Sequence, residues 1–256
     1  MMNLIPDYFD QMVDTFDQGY LDVKRRYHVI KRRDVIIEEL GRLGSMPDDG
    51  PWLDAGCGAG VLALEIAARG FFVHGIDLST NMISRCLANS TGRGLSGKTT
   101  FLVGDLKSLP YADNSLAGVI CAGVIEYCSE PRAVVAELAR VLRPGAPIII
   151  TFNNALSPYR WVSGPVKRLA QHLIRGRTLL PMNRAYTLSG ARRLLTTAGI
   201  AVVGWRWHTF ACRVRQSWLP PLFIARRLEV LSRIPVMCGL GWGLVIVGRR
   251  ADSAAR

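Results

Sequence analysis

Several features that would place this chain in other protein classes are missing from its sequence. The 256 residues include six cysteines and four histidines. They form no Cys-x-x-Cys pair and no His–Cys cluster, which argues against a zinc site and a disulfide framework. The longest apolar run, residues 234–248, contains Pro235 and is shorter than the roughly 20 residues that cross a bilayer. We therefore expect a cytoplasmic protein without a bound metal.

Acidic residues are scarce in the C-terminal part. Residues 152–256 contain 17 Lys and Arg but two acids, Glu229 and Asp252, whereas residues 1–151 contain 15 basic and 18 acidic residues. The first 20 residues carry four aspartates, which does not fit a secretory signal. The basic C-terminal part favours an anionic partner such as a membrane surface, a nucleic acid or an acidic substrate. A solvated face that only keeps the protein soluble is the alternative.

Strand and helix signals alternate along the first 152 residues. Strands are predicted at 51–55, 71–76, 100–103, 116–121 and 148–152, and helices at 21–43, 61–69, 80–88 and 131–142. This alternation with short loops predicts a parallel sheet with helices on both faces. The pattern breaks at residues 153–187 and resumes with a helix at 187–198 and strands at 202–210 and 244–247.

A glycine-rich turn joins the first strand to the next helix. It reads Leu53-Asp54-Ala55-Gly56-Cys57-Gly58-Ala59-Gly60, and its glycines allow a tight turn and a close approach to a ligand. The helix N-terminus behind it offers N–H groups. Asp77 ends the second strand, where an acid can hold two ribose hydroxyls. The glycines follow an acidic residue, Asp54, and their spacing differs from that in dinucleotide-binding loops.

With these residues the chain resembles the class I S-adenosylmethionine-dependent methyltransferases, in the group of the ubiquinone and menaquinone biosynthesis enzymes. Residues 54–60 match their first motif and Asp77 their ribose-binding acid. Further matches follow in order at Gly104-Asp105-Leu106 with Leu109-Pro110-Tyr111, at 138–145 and at 185–200. The resemblance implies S-adenosyl-L-methionine (SAM) as cofactor. It also implies a Rossmann-like sheet of seven mostly parallel strands, with a basic insertion between strands five and six.

The resemblance further implies a set of cofactor-binding residues, with Asp105 accepting from the adenine amine. The set is Asp54, Ala55, Gly56, Gly58, Gly60, Asp77, Leu78, Asp105, Leu106, Ala122 and Tyr20. The chain departs from the family pattern at three places. Ala117 replaces the usual aspartate of strand four, Gly145-Ala146 replaces Gly-Gly, and the loop after strand four lacks the usual histidine.

Methyl transfer requires few catalytic groups. The sulfonium donor is already activated, so the protein must mainly align the reactants and exclude water. A general base is needed only when the nucleophile keeps a proton at neutral pH. Glu126, Tyr127 and Tyr186 are the candidates, whereas we favour a surface or packing role for His172 and His208.

One domain is expected over residues 1–256. Its parts are an N-terminal helical cap (1–46), a cofactor-binding core (47–152), an acceptor-binding lid or insertion with strand six (153–233) and a last strand (234–250). The acceptor region mixes Trp and Arg with apolar residues, as in the stretch around Arg226, Arg227 and Arg233. This composition is typical of a helix that lies in a lipid headgroup layer.

We therefore expect a small, lipophilic acceptor, such as a quinone precursor, a polyprenyl compound or a lipid. The enzyme would be peripheral to the inner face of the membrane. Two alternatives stay open. One is an RNA methyltransferase whose arginines track phosphates and whose tryptophans stack on bases. The other is a relative that binds the cofactor without catalysing methyl transfer.

Overall fold

A computed structural model describes residues 9–10, 13, 23–43, 50–158, 183–210, 212–214, 217–219, 222–228, 230 and 241–252. The helices are α1 (Val23–Arg42), α2 (Val61–Ala67), α3 (Thr80–Gly92), α4 (Pro131–Val141), α5 (Leu188–Thr197) and α6 (Leu222–Leu228), with a 3₁₀ helix at Ile125–Tyr127. The strands are β1 (Trp52–Ala55), β2 (Val73–Asp77), β3 (Thr99–Val103), β4 (Gly118–Cys121), β5 (Pro147–Asn153), β6 (Ile200–His208), β7 (Cys212–Val214), β8 (Ser217–Leu219) and β9 (Gly243–Arg250).

Seven of these strands form one sheet in the order β3-β2-β1-β4-β5-β9-β6. Strands β1 to β5 pair in parallel, and β9 is antiparallel to both β5 and β6. The predicted seven-stranded, mostly parallel, Rossmann-like sheet is therefore confirmed. Strands β7 and β8 form a separate hairpin. The basic insertion between strands five and six stays a prediction, because residues 159–182 lie outside the described residues.

The sheet is buried on both faces, which explains why its central strands are largely apolar. In β5, Ile148 and Ile150 pack into the cluster that includes α4 and α5, whereas Ile149 packs into the cluster that includes α1, α2 and α3. Successive side chains of a strand point to opposite faces, so β5 joins both cores. Among the described residues, no helix combines the length and the hydropathy needed to cross a membrane.

Helix α1 packs on the sheet against β6 and β9, and its Arg32 reaches Gly123 in the loop after β4. Arg206 of β6 binds Glu38 and Glu39 of α1, with Nη1 at 2.6 Å from Glu38 Oε2 and 3.1 Å from Glu39 Oε1. Val35, Ile36 and Leu40 bury the apolar face of α1 in the core. The chain thereby holds a helix of the predicted N-terminal cap next to the carboxyl ends of the parallel strands.

Candidate functional site

A cavity of about 300 Å³ opens at the carboxyl ends of β1, β2 and β4. Parallel strands bring these ends to one edge of the sheet, where open α/β sheets bind ligands. Of the predicted cofactor-binding residues, those that line the cavity are Asp54, Gly56, Gly58, Asp77, Leu78, Asp105, Leu106 and Ala122. Ala55 and Gly60 belong to the same turn but do not line the cavity, and Tyr20 lies outside the described residues.

The three glycines of the turn have positive φ angles but serve different purposes. A Cβ atom at Gly56 would lie 2.3 Å from Cγ2 of Val124, and one at Gly60 would lie 3.0 Å from Sγ of Cys86. At Gly58 an added Cβ atom would meet no atom of the described residues within 4 Å, apart from its chain neighbours. Gly56 and Gly60 are therefore required for packing, whereas Gly58 leaves ligand space open.

Asp54 is a buried carboxyl group at the start of the turn. Its Oδ2 accepts a hydrogen bond from the backbone N–H of Ala63 in the first turn of α2, at 3.0 Å. Burial raises the pKa of Asp54 to about 7, although the Ala63 N–H group and the charge of Arg32 oppose the rise. Asp54 thus caps α2 itself, and the Ala63 N–H group is not left for a ligand.

Asp77 connects the end of β2 to the glycine turn. Its Oδ2 accepts from the N–H of Gly58 at 2.9 Å, and its Oδ1 accepts from the N–H of Ser79 at 3.0 Å. Burial raises the pKa of Asp77, and these two backbone hydrogen bonds oppose the rise. Each carboxylate oxygen has a second lone pair, so Asp77 can still accept from two hydroxyl groups.

Asp105 lies at the exposed rim of the cavity, after β3. Its Oδ1 accepts from the N–H of Lys107 at 2.9 Å. Lys107 Nζ lies 3.1 Å from Oε1 of Glu130 and 3.9 Å from Oδ2 of Asp105. The three residues form a polar rim, which can accept hydrogen bonds from the edge of a base.

The described N-terminal residues Phe9 and Asp10 lie beside the cavity. Phe9 lines it and packs edge-on against Tyr127, with ring centroids 5.4 Å apart. Asp10 accepts hydrogen bonds from the hydroxyl of Ser79 and from the N–H of Asn81. Phe9 and Asp10 therefore form part of the surroundings of the cavity.

Arg32 of α1 lines the cavity and was not predicted from the sequence. Its guanidinium group lies against Gly123, where an added Cβ atom would be 2.1 Å from Nη1. Among the described residues, no carboxylate lies within ion-pair distance of it. A signal was present in the sequence: Arg32 lies three residues after Val29 and four before Ile36, on the buried face of the predicted helix.

The predicted catalytic residues lie in different places. Tyr127 lines the cavity. Glu126 is buried and is not part of the cavity wall, and its carbonyl oxygen accepts from the N–H of Arg184 at 2.8 Å. Tyr186 packs on Phe152 with ring centroids 5.1 Å apart, and burial raises its pKa. The catalytic roles of all three residues remain predictions.

His208, one of the two histidines considered above, does not line the cavity. His208 is buried, and its Nδ1 lies 2.9 Å from the hydroxyl of Thr209. Burial and the nearby cations Arg32, Lys31 and Arg206 lower the pKa of His208 to about 3, so it is neutral at physiological pH. This agrees with a packing role, whereas His172 lies outside the described residues.

Residues 53–150, from β1 to β5, match a family model described as a methyltransferase domain. Norajmaline N-methyltransferase of Rauvolfia serpentina is 33% identical over 121 residues, which are 45% of this chain and 41% of that protein. The tRNA 5-carboxymethoxyuridine methyltransferase of Escherichia coli K12 is 31% identical over 154 residues, 57% of this chain and 56% of that protein. The chain thus spans about half the length of these relatives.

The fold comparison extends over almost the whole chain. Magnesium protoporphyrin IX methyltransferase from Synechocystis PCC 6803, solved with bound SAH, superposes with a TM-score of 0.67 at 19% identity. The superposition covers 98% of this chain and 100% of that one. At this identity the similarity shows that the fold is shared, including the sheet outside residues 53–150.

Proposed function

We propose that this chain, which belongs to the class I S-adenosylmethionine-dependent methyltransferases, transfers a methyl group from SAM to a small lipophilic acceptor. The family predicted from the sequence is confirmed by the domain match and the fold. Its placement in the ubiquinone and menaquinone group stays a prediction. The proposal depends on one observation: Asp54, Asp77 and Asp105, from three separate strand ends, line a single cavity beside the open space at Gly58.

The cavity has a partner for each part of SAM. Asp77 would accept hydrogen bonds from the ribose hydroxyls, and Asp105 would accept one from the adenine amine. The absence of a side chain at Gly58 leaves space for the ligand. The guanidinium of Arg32 would bind the carboxylate of the amino-acid part, because that cation has no carboxylate partner among the described residues. In its ionised form, the Asp54 carboxylate would attract the cationic groups of the ligand that lie near it.

SAM supplies an activated methyl group on a sulfonium, so the chain's own task is to bind, orient and exclude water. Phe9 and Tyr127 form an aromatic contact at the cavity mouth and would limit water there. Of the three catalytic candidates we favour Tyr127, because it lines the cavity while Glu126 and Tyr186 do not. A deprotonating group is required only for an acceptor that keeps its proton.

The C-terminal part supports an acceptor of low polarity at an anionic membrane surface. Strand β6 runs parallel to β5, so its carboxyl end lies on the cavity side of the sheet, and β7, β8 and α6 follow it. Phe223 and Ile224 of α6 are exposed, 69% and 38%, next to the exposed Arg226 and Arg227. Exposed apolar and cationic side chains on one short helix suit the headgroup layer of the cytoplasmic membrane face.

A transfer assay tests this function. The purified protein is incubated with SAM that carries a labelled methyl group, together with either a bacterial lipid extract or total tRNA. We expect the label to enter the organic phase, and S-adenosylhomocysteine (SAH) to appear in equal amount. A lack of SAH with every acceptor fraction would contradict the proposal and leave the non-catalytic alternative.

RNA methylation is the second candidate function. It is supported by the relative that acts in tRNA modification and by the excess of basic over acidic residues in 152–256, 17 against two. Arginines can track phosphates without a separate RNA-binding module. Label in the tRNA fraction, combined with tRNA binding that weakens steeply with salt, would favour this candidate.

A further inference from the structure

Arg184 connects the segment before α5 to the wall of the cavity. Its side chain donates from Nε to the carbonyl oxygen of Cys128 and from Nη2 to that of Ser129, both at 3.2 Å. Its backbone N–H donates to the carbonyl oxygen of Glu126 at 2.8 Å. One residue therefore holds three carbonyl groups of the loop between β4 and α4.

This loop, residues 122–130, forms one side of the cavity. Tyr127, Cys128 and Ser129 all line it. At the end of the loop near β4, the N–H of Gly123 donates to the hydroxyl of Thr151 at 2.8 Å. Arg184 contacts the opposite end of the loop, where Tyr127, Cys128 and Ser129 form the cavity wall.

Arginine has the geometry that this contact needs. Its planar guanidinium donates in fixed directions, so one side chain can bind two neighbouring carbonyl oxygens, whereas a lysine ammonium cannot copy that arrangement. Among the described residues, no carboxylate lies within ion-pair distance of Arg184. The positive charge of its guanidinium group interacts instead with the carbonyl dipoles of Cys128 and Ser129.

The segment that carries Arg184 is also joined to the end of β5. Asn153 Nδ2 donates to Oδ1 of Asn183 at 2.7 Å, and the N–H of Tyr186 donates to the carbonyl oxygen of Asn153 at 2.8 Å. Residues 159–182, part of the predicted acceptor region, come directly before this segment. Residues 183–186 therefore connect the end of β5 to the cavity wall.

We propose that Arg184 is a positioning residue that couples the acceptor region to the cofactor cavity by holding loop 122–130. It is not part of the cavity wall and contacts the loop from outside. The proposal rests on the proposed function, since the cavity is taken to bind SAM. Coupling is reciprocal, so a ligand that orders the loop also orders residues 183–186.

Hydrogen–deuterium exchange and SAH calorimetry test the proposal on four proteins: wild type, Arg184→Ala, Arg184→Lys and the control Arg193→Ala. Arg193 is an exposed arginine on α5, outside the cavity wall. Without ligand, we expect the amides of residues 125–130 to exchange about fivefold faster in Arg184→Ala, because two exposed hydrogen bonds are lost. SAH affinity should fall about fivefold, also in high salt, since the contacts are to neutral carbonyls.

The control variants separate positioning from general stability. We expect Arg184→Lys to lie between wild type and Arg184→Ala, Arg193→Ala to match wild type, and the unfolding temperatures of the two alanine variants to agree. SAH should slow exchange at residues 183–186 in wild type more than in Arg184→Ala. Unchanged exchange at 125–130 in Arg184→Ala, or an equal effect in Arg193→Ala, overturns the proposal. If wild type takes up no SAH, the proposed function fails, and the exchange comparison still decides the role of Arg184.

Discussion

Residues 1–151 and residues 152–256 differ in the sign and in the burial of their charged side chains. Residues 1–151 carry a small excess of acids, and two of the cavity carboxyl groups, the buried Asp54 and the half-buried Asp77, are hydrogen-bonded to backbone N–H groups. Residues 152–256 carry a large excess of arginines, and those described on α6 are exposed. Buried charges are set by the fold, whereas exposed charges are available to a partner.

This contrast separates what the chain shares with its relatives from what distinguishes it. The family match covers residues 53–150, which contain the glycine turn and the three aspartates of the cavity. The basic part lies mostly beyond that match. We infer that the first part determines the cofactor and the second part determines the acceptor and its location. The following predictions test this division, beginning with the largest expected effect.

Asp54 gives the first prediction. Its pKa is raised from 3.8 to about 7 in the folded protein, so between these values the folded state binds a proton that the unfolded state has released. The contribution of Asp54 to stability is therefore lost as pH rises from about 4 to 7. We expect the free energy of unfolding of wild type, relative to Asp54→Asn, to fall by about 2 to 3 kcal/mol between roughly pH 5 and pH 8.

Urea unfolding at a series of pH values measures this difference. Asparagine keeps an acceptor for the Ala63 N–H group, so the comparison removes the charge and not the cap. Taking the difference between the two proteins also cancels the opposite contribution of His208, whose lowered pKa favours the folded state at higher pH. Parallel pH curves for the two proteins would show that Asp54 is not a buried, titrating group.

Gly58→Ala separates binding from folding. Both Gly58 and Gly94 have positive φ, and an added Cβ atom meets no described atom within 4 Å at either position. Each alanine variant should lose about 1 kcal/mol of stability because of its left-handed backbone. Since Gly58 faces the cavity and Gly94 does not, we expect SAH affinity to fall at least about tenfold in Gly58→Ala only. Equal calorimetric affinities in the two variants would place the ligand elsewhere.

Arg32→Gln tests the proposed carboxylate contact. We expect SAH to bind about tenfold more weakly, because a charge-assisted hydrogen bond is lost. The binding of 5′-methylthioadenosine, which has no carboxylate, should change little. Arg33→Gln is the matched control, since Arg33 is the next residue of α1 and pairs with Asp34 at 2.8 Å. A similar loss for both ligands would contradict the contact.

Arg226→Gln has the smallest expected effect and tests the basic part. Flotation with anionic liposomes should show binding about fivefold weaker than wild type, because each arginine near such a surface contributes about 1 kcal/mol. SAH affinity should stay unchanged. The control is Arg193→Gln on α5. A loss of SAH affinity without a loss of liposome binding would reverse the division between the two parts.

The sequence predicted the fold of residues 1–151 and the place of the glycine turn well, because their signals are local. Glycine spacing, the acid at the end of β2 and alternating strands and helices all depend on residues close together in the chain. The finer roles within the turn depend on contacts between distant elements. Val124 fills the space at Gly56, Cys86 fills the space at Gly60, and Asp54 turns back to cap α2. Periodicity cannot reveal such contacts.

Arg32 and Arg184 show the limit more sharply. Arg32 becomes part of the cavity only when α1 packs on the sheet, and Arg184 meets its three carbonyl partners more than 50 positions earlier in the chain. Arginine is also a common surface residue, so its type alone does not mark a site. For the acceptor, composition was the available signal, and it indicates the chemistry of the partner without locating a binding site.

A crystal structure of the chain grown with SAH tests the central claim most directly. We expect one ligand in the cavity, with its ribose hydroxyls hydrogen-bonded to Asp77, its adenine amine at Asp105 and its carboxylate at Arg32. A ligand bound outside the cavity, or an adenosyl group that makes no contact with Asp77 and Asp105, would contradict the account.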